Sequence, residues 1–340
     1  MPSTTTSAMP HQVVILAYPG AHLLNIAGSA EVFAAANRAM QERSSDAASS
    51  DNAPYRLTMV SRDGGGVLTA AGVEIATRPL SDLPPTVNVL IIPGGAGIRP
   101  VMADEAMTRW IADTARRSRR VIGLGGGSFI LAGAGLLSGR RCVSHWRFED
   151  DFEREHPAVH LVRDALFVVD GPFITAAGSS ASLDVGLRLV EEDVGPLTAL
   201  HVAAMLVTPR IRAGDQPQLS AEMKARLGAA PRIARAIDWM SENVARRISV
   251  GDAAERFAMS ERNFSRAFRK ETGLSPSAFM ERLRLEAAQR WLNGSPLALE
   301  EVAQRCGYSG AVQMARAFQV HFGMTPLAYR RASAVSPRSG

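Results

Sequence analysis

An α/β domain on an open, mostly parallel sheet, followed by an all-α domain with two helix-turn-helix units, is the fold class this sequence predicts. Three observations carry it. Short apolar runs alternate with helical patterns as far as Gly195, the rhythm of a parallel sheet covered on both faces. Beyond Pro231 no convincing strand remains, and short helices are separated by Gly, Ser and Pro. Ala253, Arg266, Ala267, Phe268, Gly273, Pro276 and Phe279 recur 50 residues later as Ala303, Arg316, Ala317, Phe318, Gly323, Pro326 and Tyr329. An internal repeat of that kind means a duplicated unit.

The 340 residues suggest at least two domains, and 46% hydrophobic with 21% charged residues is a soluble globular composition. Cys142 and Cys306 are the two cysteines, too far apart for a disulfide framework or a zinc motif. No metal or cofactor is expected, and a reducing, cytoplasmic compartment follows. "MPSTTTSAMPHQ" has neither the basic start nor the apolar core of a signal peptide. No apolar run approaches the ~18 to 20 residues of a membrane helix, so no membrane partner is expected. Charge is uneven. Pro231 to Gly340 holds 17 Lys+Arg against 10 Asp+Glu, a net of +7, where the whole chain is +5 and residues 1–230 therefore −2. A basic half points to a polyanion, nucleic acid first, or to a solvated basic surface.

Element by element, "QVVILAY" (12–18) reads as a buried parallel strand ending at Pro19-Gly20. "SAEVFAAANRAM" (29–40) reads as a helix with Ser29 as N-cap. A polar loop, "SSDAASSDNAP", precedes the strand "YRLTMVS". "VNVLIIPGG" (87–95) is a strand ending in a glycine turn, and "EAMTRWIADTARRS" a helix. "RVIGLGGG" is a strand, 128–137 a helix, and "RCVSHW" and "LFVVDGPFITAAG" further short strands. "SASLDVGLRLVEEDVG" closes the domain as a helix with Gly195 beyond it. Ligands of such sheets bind outside the carboxyl ends of the strands. Residues 20–25, 93–95 and 125–127 lie there.

The sharpest of these features is Gly125-Gly126-Gly127, between an apolar strand and a helix. Such a turn usually projects a nucleophile, yet its tip holds no Ser, Cys or Thr. "YPGAHLLNIAGSAEVFAAAN", "LIIPGG", this turn, "GLLSGRRCVSHW" and "ITAAGSSASLDVGLRLVEEDVG" occur in order. Together they resemble the PfpI-type branch of the class I glutamine amidotransferase-like superfamily over about residues 12–195, with its flavodoxin-like sheet. The resemblance implies a Cys at the elbow, an acid from the first strand–helix loop, a His after the elbow helix, and a glycine turn that supplies an oxyanion hole. Here the elbow position is Gly125 and the acid position Asn25, while His145, Gly94 and Gly95 match. A thiolate nucleophile needs a sulfur and a group that tunes it. Both are missing, and Cys142 reads as a buried core thiol, so no catalytic residue is assigned. A pocket remains, with Asn25, Gly94, Gly95, Gly125, Gly126, His145 and Trp146 as candidate ligand-binding residues. Backbone N–H groups at the elbow suit a carboxylate or phosphate. The competing reading makes the glycines close-packing sites, Trp146 core, and His145 a structurally satisfied histidine.

In the second domain the first unit reads "VGDAAERFA", "MS", "ERNFSRAFRKETG", "LSPSAFMERLRLEAAQRWL", and the second "LALEEVAQRCG", "YS", "GAVQMARAFQVHFG", "MTPLAYRR". This is helix-turn-helix spacing, twice. Phe264, Ala267 and Phe268 share one stripe, as do Met314, Ala317 and Phe318, and should face inward. Outside lie Arg262, Asn263, Arg266, Arg269, Gln313 and Arg316, the candidate DNA-binding residues. An amide suits adenine and Arg suits guanine. Residues 233–331, and above all "LEEVAQRCGYSGAVQMARAFQVHFGMTPLAYRR", resemble the AraC/XylS family of transcription regulators. The resemblance implies two recognition helices in successive major grooves ~34 Å apart, with Cys306 in the core.

The two resemblances in this order point to the GlxA-like subgroup. The expected organisation is a disordered start (1–11), an amidotransferase-like domain (12–207) that the resemblance makes a sensor and dimerisation module, a polar, Pro- and Gly-containing linker (208–231), a DNA-binding domain (232–332) and a disordered tail (333–340). The expected protein is a homodimeric regulator of double-stranded promoter or operator DNA, with RNA polymerase as a further partner. Its effector would be an amino acid or another nitrogen-containing metabolite. Two alternatives stay open: a hydrolase or hydratase fused to a DNA-binding module, and a first domain that only dimerises.

Overall fold

The structure is a computed structural model that describes residues 9–43, 53–208, 212–227 and 229–334. The N-terminus before Met9, most of the predicted polar loop, Pro209 to Ile211 of the predicted linker and the tail beyond Ala334 lie outside the described residues. The chain divides into two compact units at Gln218/Leu219.

The first unit is built on an eight-stranded sheet with the order β3-β4-β2-β1-β5-β6-β10-β9. Its strands are β1 (His11–Leu16), β2 (Tyr55–Ser61), β3 (Asp63–Leu68), β4 (Glu74–Pro79), β5 (Val89–Ile92), β6 (Arg120–Leu124), β9 (Phe167–Asp170) and β10 (Phe173–Ala176). Two more, β7 (Arg141–Cys142) and β8 (His160–Leu161), pair with each other. The inner pairs are parallel, with Val13 opposite both Leu57 and Val89. Only the β3–β4 and β9–β10 hairpins run antiparallel. Val13 to Leu16, all of β5 and all of β6 are buried, as continuous apolar runs must be when helices cover both faces. One group of helices is α1 (Leu23–Arg43), α6 (Ala181–Val194) and α7 (Pro196–Met205); the other is α2 (Ile98–Ala103), α3 (Glu105–Arg117) and α4 (Gly127–Gly133). α5 (Glu149–Glu155) is a short outlier.

Several expectations change. α1 begins at Leu23, and Ser29 is inside it, its hydroxyl donating to the Asn25 carbonyl at 2.8 Å. Small residues hid this first turn: an added Cβ on Gly28 would meet the Ser182 hydroxyl of α6 at 2.8 Å. β3 and β4 fall in a stretch to which the sequence assigned no element; β3, "DGGGVL", is glycine-rich and mostly exposed at the sheet edge. "RCVSHW" shrinks to β7, and Trp146–Phe148 is a 3-10 turn.

The second unit holds α8 (Ala221–Arg226), α9 (Pro231–Glu242), α10 (Val250–Arg256), α11 (Glu261–Thr272), α12 (Pro276–Gly294), α13 (Leu299–Arg305), α14 (Ala311–Phe322) and α15 (Pro326–Ala334). The region 208–231 is thus not one free linker. α8 packs with α9, and the Ala221 N–H donates to the Glu286 carboxylate at 2.9 Å. Two cores form. Phe264, Phe268 and Phe279 belong to one, and Met314, Phe318 and buried Cys306 to the other. α12 serves both, giving Phe279, Met280 and Leu283 to the first and Leu285, Ala288 and Leu292 to the second. α11 and α14 each stop at a left-handed glycine, Gly273 at φ 77° and Gly323 at φ 70°, where a side chain would be strained.

Candidate functional site

The elbow forms where β6 ends. Gly125 adopts φ +56°, and its N–H still follows the sheet to the Ala176 carbonyl at 2.8 Å. Its carbonyl accepts the Ser128 N–H at 3.2 Å and the Ser128 hydroxyl at 2.8 Å, closing the first turn of α4. The left-handed backbone at Gly125 is the strained geometry of a strand-to-helix elbow.

The glycine turn after β5 packs into this elbow. An added Cβ on Gly94 would lie 2.5 Å from the Gly126 nitrogen, and one on Gly127 would overlap the Ile92 carbonyl oxygen. Gly95 bridges to Ala21, and the Gly94 carbonyl accepts the His22 N–H at 2.8 Å. These glycines are thus close-packing positions, and the Gly125 N–H, expected to be open to an anion, is already committed to the Ala176 carbonyl.

Asn25 is fully buried and spent on backbone. Its Nδ2 donates to the Leu124 carbonyl at 3.4 Å, and its Oδ1 accepts the Ser179 N–H at 2.6 Å. One carbonyl and one N–H call for an amide, which both donates and accepts; a carboxylate would face the Leu124 oxygen with no proton to give. Asn25 thus ties α1, the elbow and the loop before α6 together, a role its position alone did not reveal.

The predicted His145 and Trp146 stand at the mouth. His145 is half-buried and Trp146 is exposed, so Trp146 is not the core residue of the competing reading. The imidazole centroid lies 5.5 Å from the Trp146 ring and 5.8 Å from that of Phe148, a neighbour the sequence did not single out. Burial, with His22 and Arg147 nearby, lowers His145 from the usual histidine value. Its Nδ1 accepts the Arg147 N–H at 3.3 Å. No thiol reaches this mouth. Cys142 is fully buried, and burial pushes its thiol up to about 12.

A second feature had no local signal. Residues 212–218 are strapped across the first unit at three points. Arg212 donates through its backbone N–H (3.0 Å), Nε (3.1 Å) and Nη2 (2.6 Å) to Asp184 of α6, whose carboxylate is buried. The Gly214 carbonyl accepts the Leu166 and Phe167 N–H groups at 2.8 and 3.1 Å. Gln218, the last residue of the unit, donates to the Ser144 carbonyl at 2.9 Å and accepts the Trp146 N–H at 2.8 Å. The residue that leads into the second unit is therefore fastened on both sides of His145.

In the second unit, burial repeats with the sequence. Phe264 and Phe268 are buried on α11, as Met314 and Phe318 are on α14. Arg262, Asn263, Arg266 and Arg269 are exposed on α11, and Gln313 and Arg316 on α14. The two amides differ, however. Asn263 Oδ1 accepts from Arg266 at 3.5 Å, whereas Gln313 Oε1 turns back to accept the Ser309 N–H (2.9 Å) and hydroxyl (2.7 Å). Gly310 gives α14 no side-chain cap; the Glu300 carboxylate accepts the Ala311 N–H at 2.9 Å, and Gln313 fastens Ser309, the residue before the cap. Val312 beside Gln313 is 86% exposed, an apolar group on a polar face that the sequence reading passed over.

A parallel α/β unit without a reactive thiol at its elbow, followed by twin helix-turn-helix units, is the class these observations define. A model of the DJ-1/PfpI family matches residues 11–192, and a model of a helix-turn-helix domain matches residues 253–332. The HTH-type transcriptional regulator CdhR of Pseudomonas aeruginosa is 31% identical over 274 residues, covering 80% of each chain. The HTH-type transcriptional regulator GlxA of Rhizobium meliloti is 25% identical over 279 residues, 82% of this chain and 86% of that one. The isonitrile hydratase of Pseudomonas putida is 33% identical over 153 residues, 44% of this chain and 65% of the enzyme. The chain belongs to the DJ-1/PfpI family, in the GlxA-like group of AraC-type transcription regulators. Among the described residues no helix is long and apolar enough to cross a membrane.

Proposed function

We propose that this regulator binds operator DNA sequence-specifically through α11 and α14, and that its first unit senses a small metabolite without catalysing a reaction. The observation that carries the sensing is the attachment of Gln218 on both sides of His145. A ligand against His145, Trp146 and the Gly94, Gly95 and Gly126 backbone perturbs the loop that holds the path to the DNA-binding unit. Asn25 positions this mouth from beneath. The effector belongs to the amino acids or other nitrogen-containing metabolites, the protein acts as a cytoplasmic homodimer, and RNA polymerase is its further partner. Coupling requires that the effector favour one arrangement of the strap over the other. Titrating candidate metabolites while following thermal stability and operator binding tests this. If none shifts either quantity, the sensing reading fails.

On the DNA, Arg316→Ala is expected to weaken operator binding by ~1 to 3 kcal/mol. Equal loss on random DNA in a fluorescence-anisotropy titration would reduce Arg316 to a phosphate contact.

The relative named an isonitrile hydratase raises an enzymatic alternative. Against it stand Gly125 in place of a nucleophile and the burial of both thiols, with Cys306 pushed up to about 11 by burial. Neither thiol is expected to react with iodoacetamide at pH 8 until the protein unfolds, because the thiolate is the nucleophile. Fast native-state modification of Cys142 accompanied by loss of a measured turnover would reverse this conclusion.

A further inference from the structure

The strand order turns at β1. β2, β4 and β3 lie to one side of it, and β5, β6 and β10 to the other. Connections leaving the carboxyl ends diverge at such a point and leave a crevice, where open α/β sheets bind ligands. Beside this point lies a solvent-open cleft of about 290 Å³, between the ends of β1 and β2 and the α2–α3 corner. It shares no residue with the elbow mouth.

Its floor is apolar. Val67, Val101 and Met107 line it and are buried, and Tyr18 lines it with its hydroxyl already donated to the Pro93 carbonyl at 2.6 Å. Three charges stand around this floor. Arg62 and Asp104 form a direct ion pair, and the other Asp104 oxygen accepts the Ala106 and Met107 N–H groups at 3.0 and 3.1 Å. That carboxylate is fully committed, and it neutralises Arg62. Asp63 is exposed, lines the cleft, and has no partner among the described residues. One carboxylate above an apolar floor is what remains.

We propose that this cleft binds a small organic cation, an alkylammonium whose charge meets Asp63 and whose chain lies on Val67, Val101 and Met107. A plain carboxylate or phosphate meets repulsion from Asp63 and an arginine already shared. The volume is at the small end of metabolite pockets, which suits a short chain.

The test uses the full-length protein and three matched probes: butylammonium, butyrate and γ-aminobutyrate, followed by titration calorimetry and thermal shift. Butylammonium is expected to bind saturably and butyrate not at all. Asp63→Asn, a surface change, should weaken butylammonium about tenfold, or about 1.4 kcal/mol. Val101→Trp, which fills the cleft, should abolish binding if it folds; Asp63→Asn decides the matter if it does not. Any of four outcomes overturns the proposal: no butylammonium binding at tens of millimolar, equal binding of butyrate, unchanged affinity in Asp63→Asn, or tighter binding of γ-aminobutyrate that depends on Arg62. None of them bears on the sensing role of the elbow mouth.

Discussion

Gly127→Ala is expected to destabilise the first unit by about 3 kcal/mol, whereas Gly125→Ala costs about 1 to 2 kcal/mol. The two neighbours differ for physical reasons. A Cβ on Gly127 would overlap the Ile92 carbonyl oxygen, which is held in the central strand β5 and cannot retreat. A Cβ on Gly125 would sit 3.2 Å from the Ala177 carbonyl oxygen, tight but accommodated by a few tenths of an ångström, and its main cost is the left-handed backbone at φ +56°. Calorimetric unfolding, with the two units resolved as separate transitions, measures both. A Gly125→Ala cost equal to or above that of Gly127→Ala would refute this division of labour. The triple glycine thus contains one position that tolerates a side chain and one that does not. Only the first is where the amidotransferase-like resemblance expects a thiol, and placing a cysteine there would still leave Asn25 without the acid to activate it.

Asp184→Ala should cost about 2 to 3 kcal/mol in the first unit and release the strap. Removing one partner of a fully buried ion pair costs about 3 to 5 kcal/mol; the discount applies because the Arg212 side chain is 28% exposed and finds water when its partner goes. Asp184 itself is 2% exposed and collects three donors from Arg212, so nothing else in the unit replaces it. Limited trypsinolysis reads the release directly: cleavage after Arg212 should accelerate roughly tenfold or more, since local opening of about 1.4 kcal/mol less is enough for that factor. Unchanged cleavage would mean that Gly214 and Gln218 hold the segment by themselves.

What could be read from the chain depended on how local its cause was. β1, β5 and β6 announced themselves because burial on both faces demands unbroken apolar runs. The duplicated unit did so because Phe264/Phe268 and Met314/Phe318 repeat at a fixed offset with their exposed neighbours. β3 did not, since an edge strand of glycines carries no apolar pattern, and β4, "EIATRP", is short and nowhere fully buried. Asn25 was found as the position of a missing acid, but its partners, Leu124 and Ser179, lie 99 and 154 residues away. The strap was invisible for the same reason: Arg212 meets Asp184 across 28 residues, and Gln218 meets Ser144 across 74. "TPRIRAGDQPQLS" has the composition of a linker, and composition does not say where a linker is fastened. Gln313 looked like a base reader by position, while Ser309, four residues back, gives its oxygen a local task.

The passage of α12 through both cores has a further consequence. Neither half of the DNA-binding unit can close without the same rod, so α12 fixes the separation of α11 and α14 like a gauge. On the proposed reading, an effector of the first unit changes how often the operator is occupied, but not which spacing of base pairs is accepted. Selectivity resides in the gauge, and switching in its delivery.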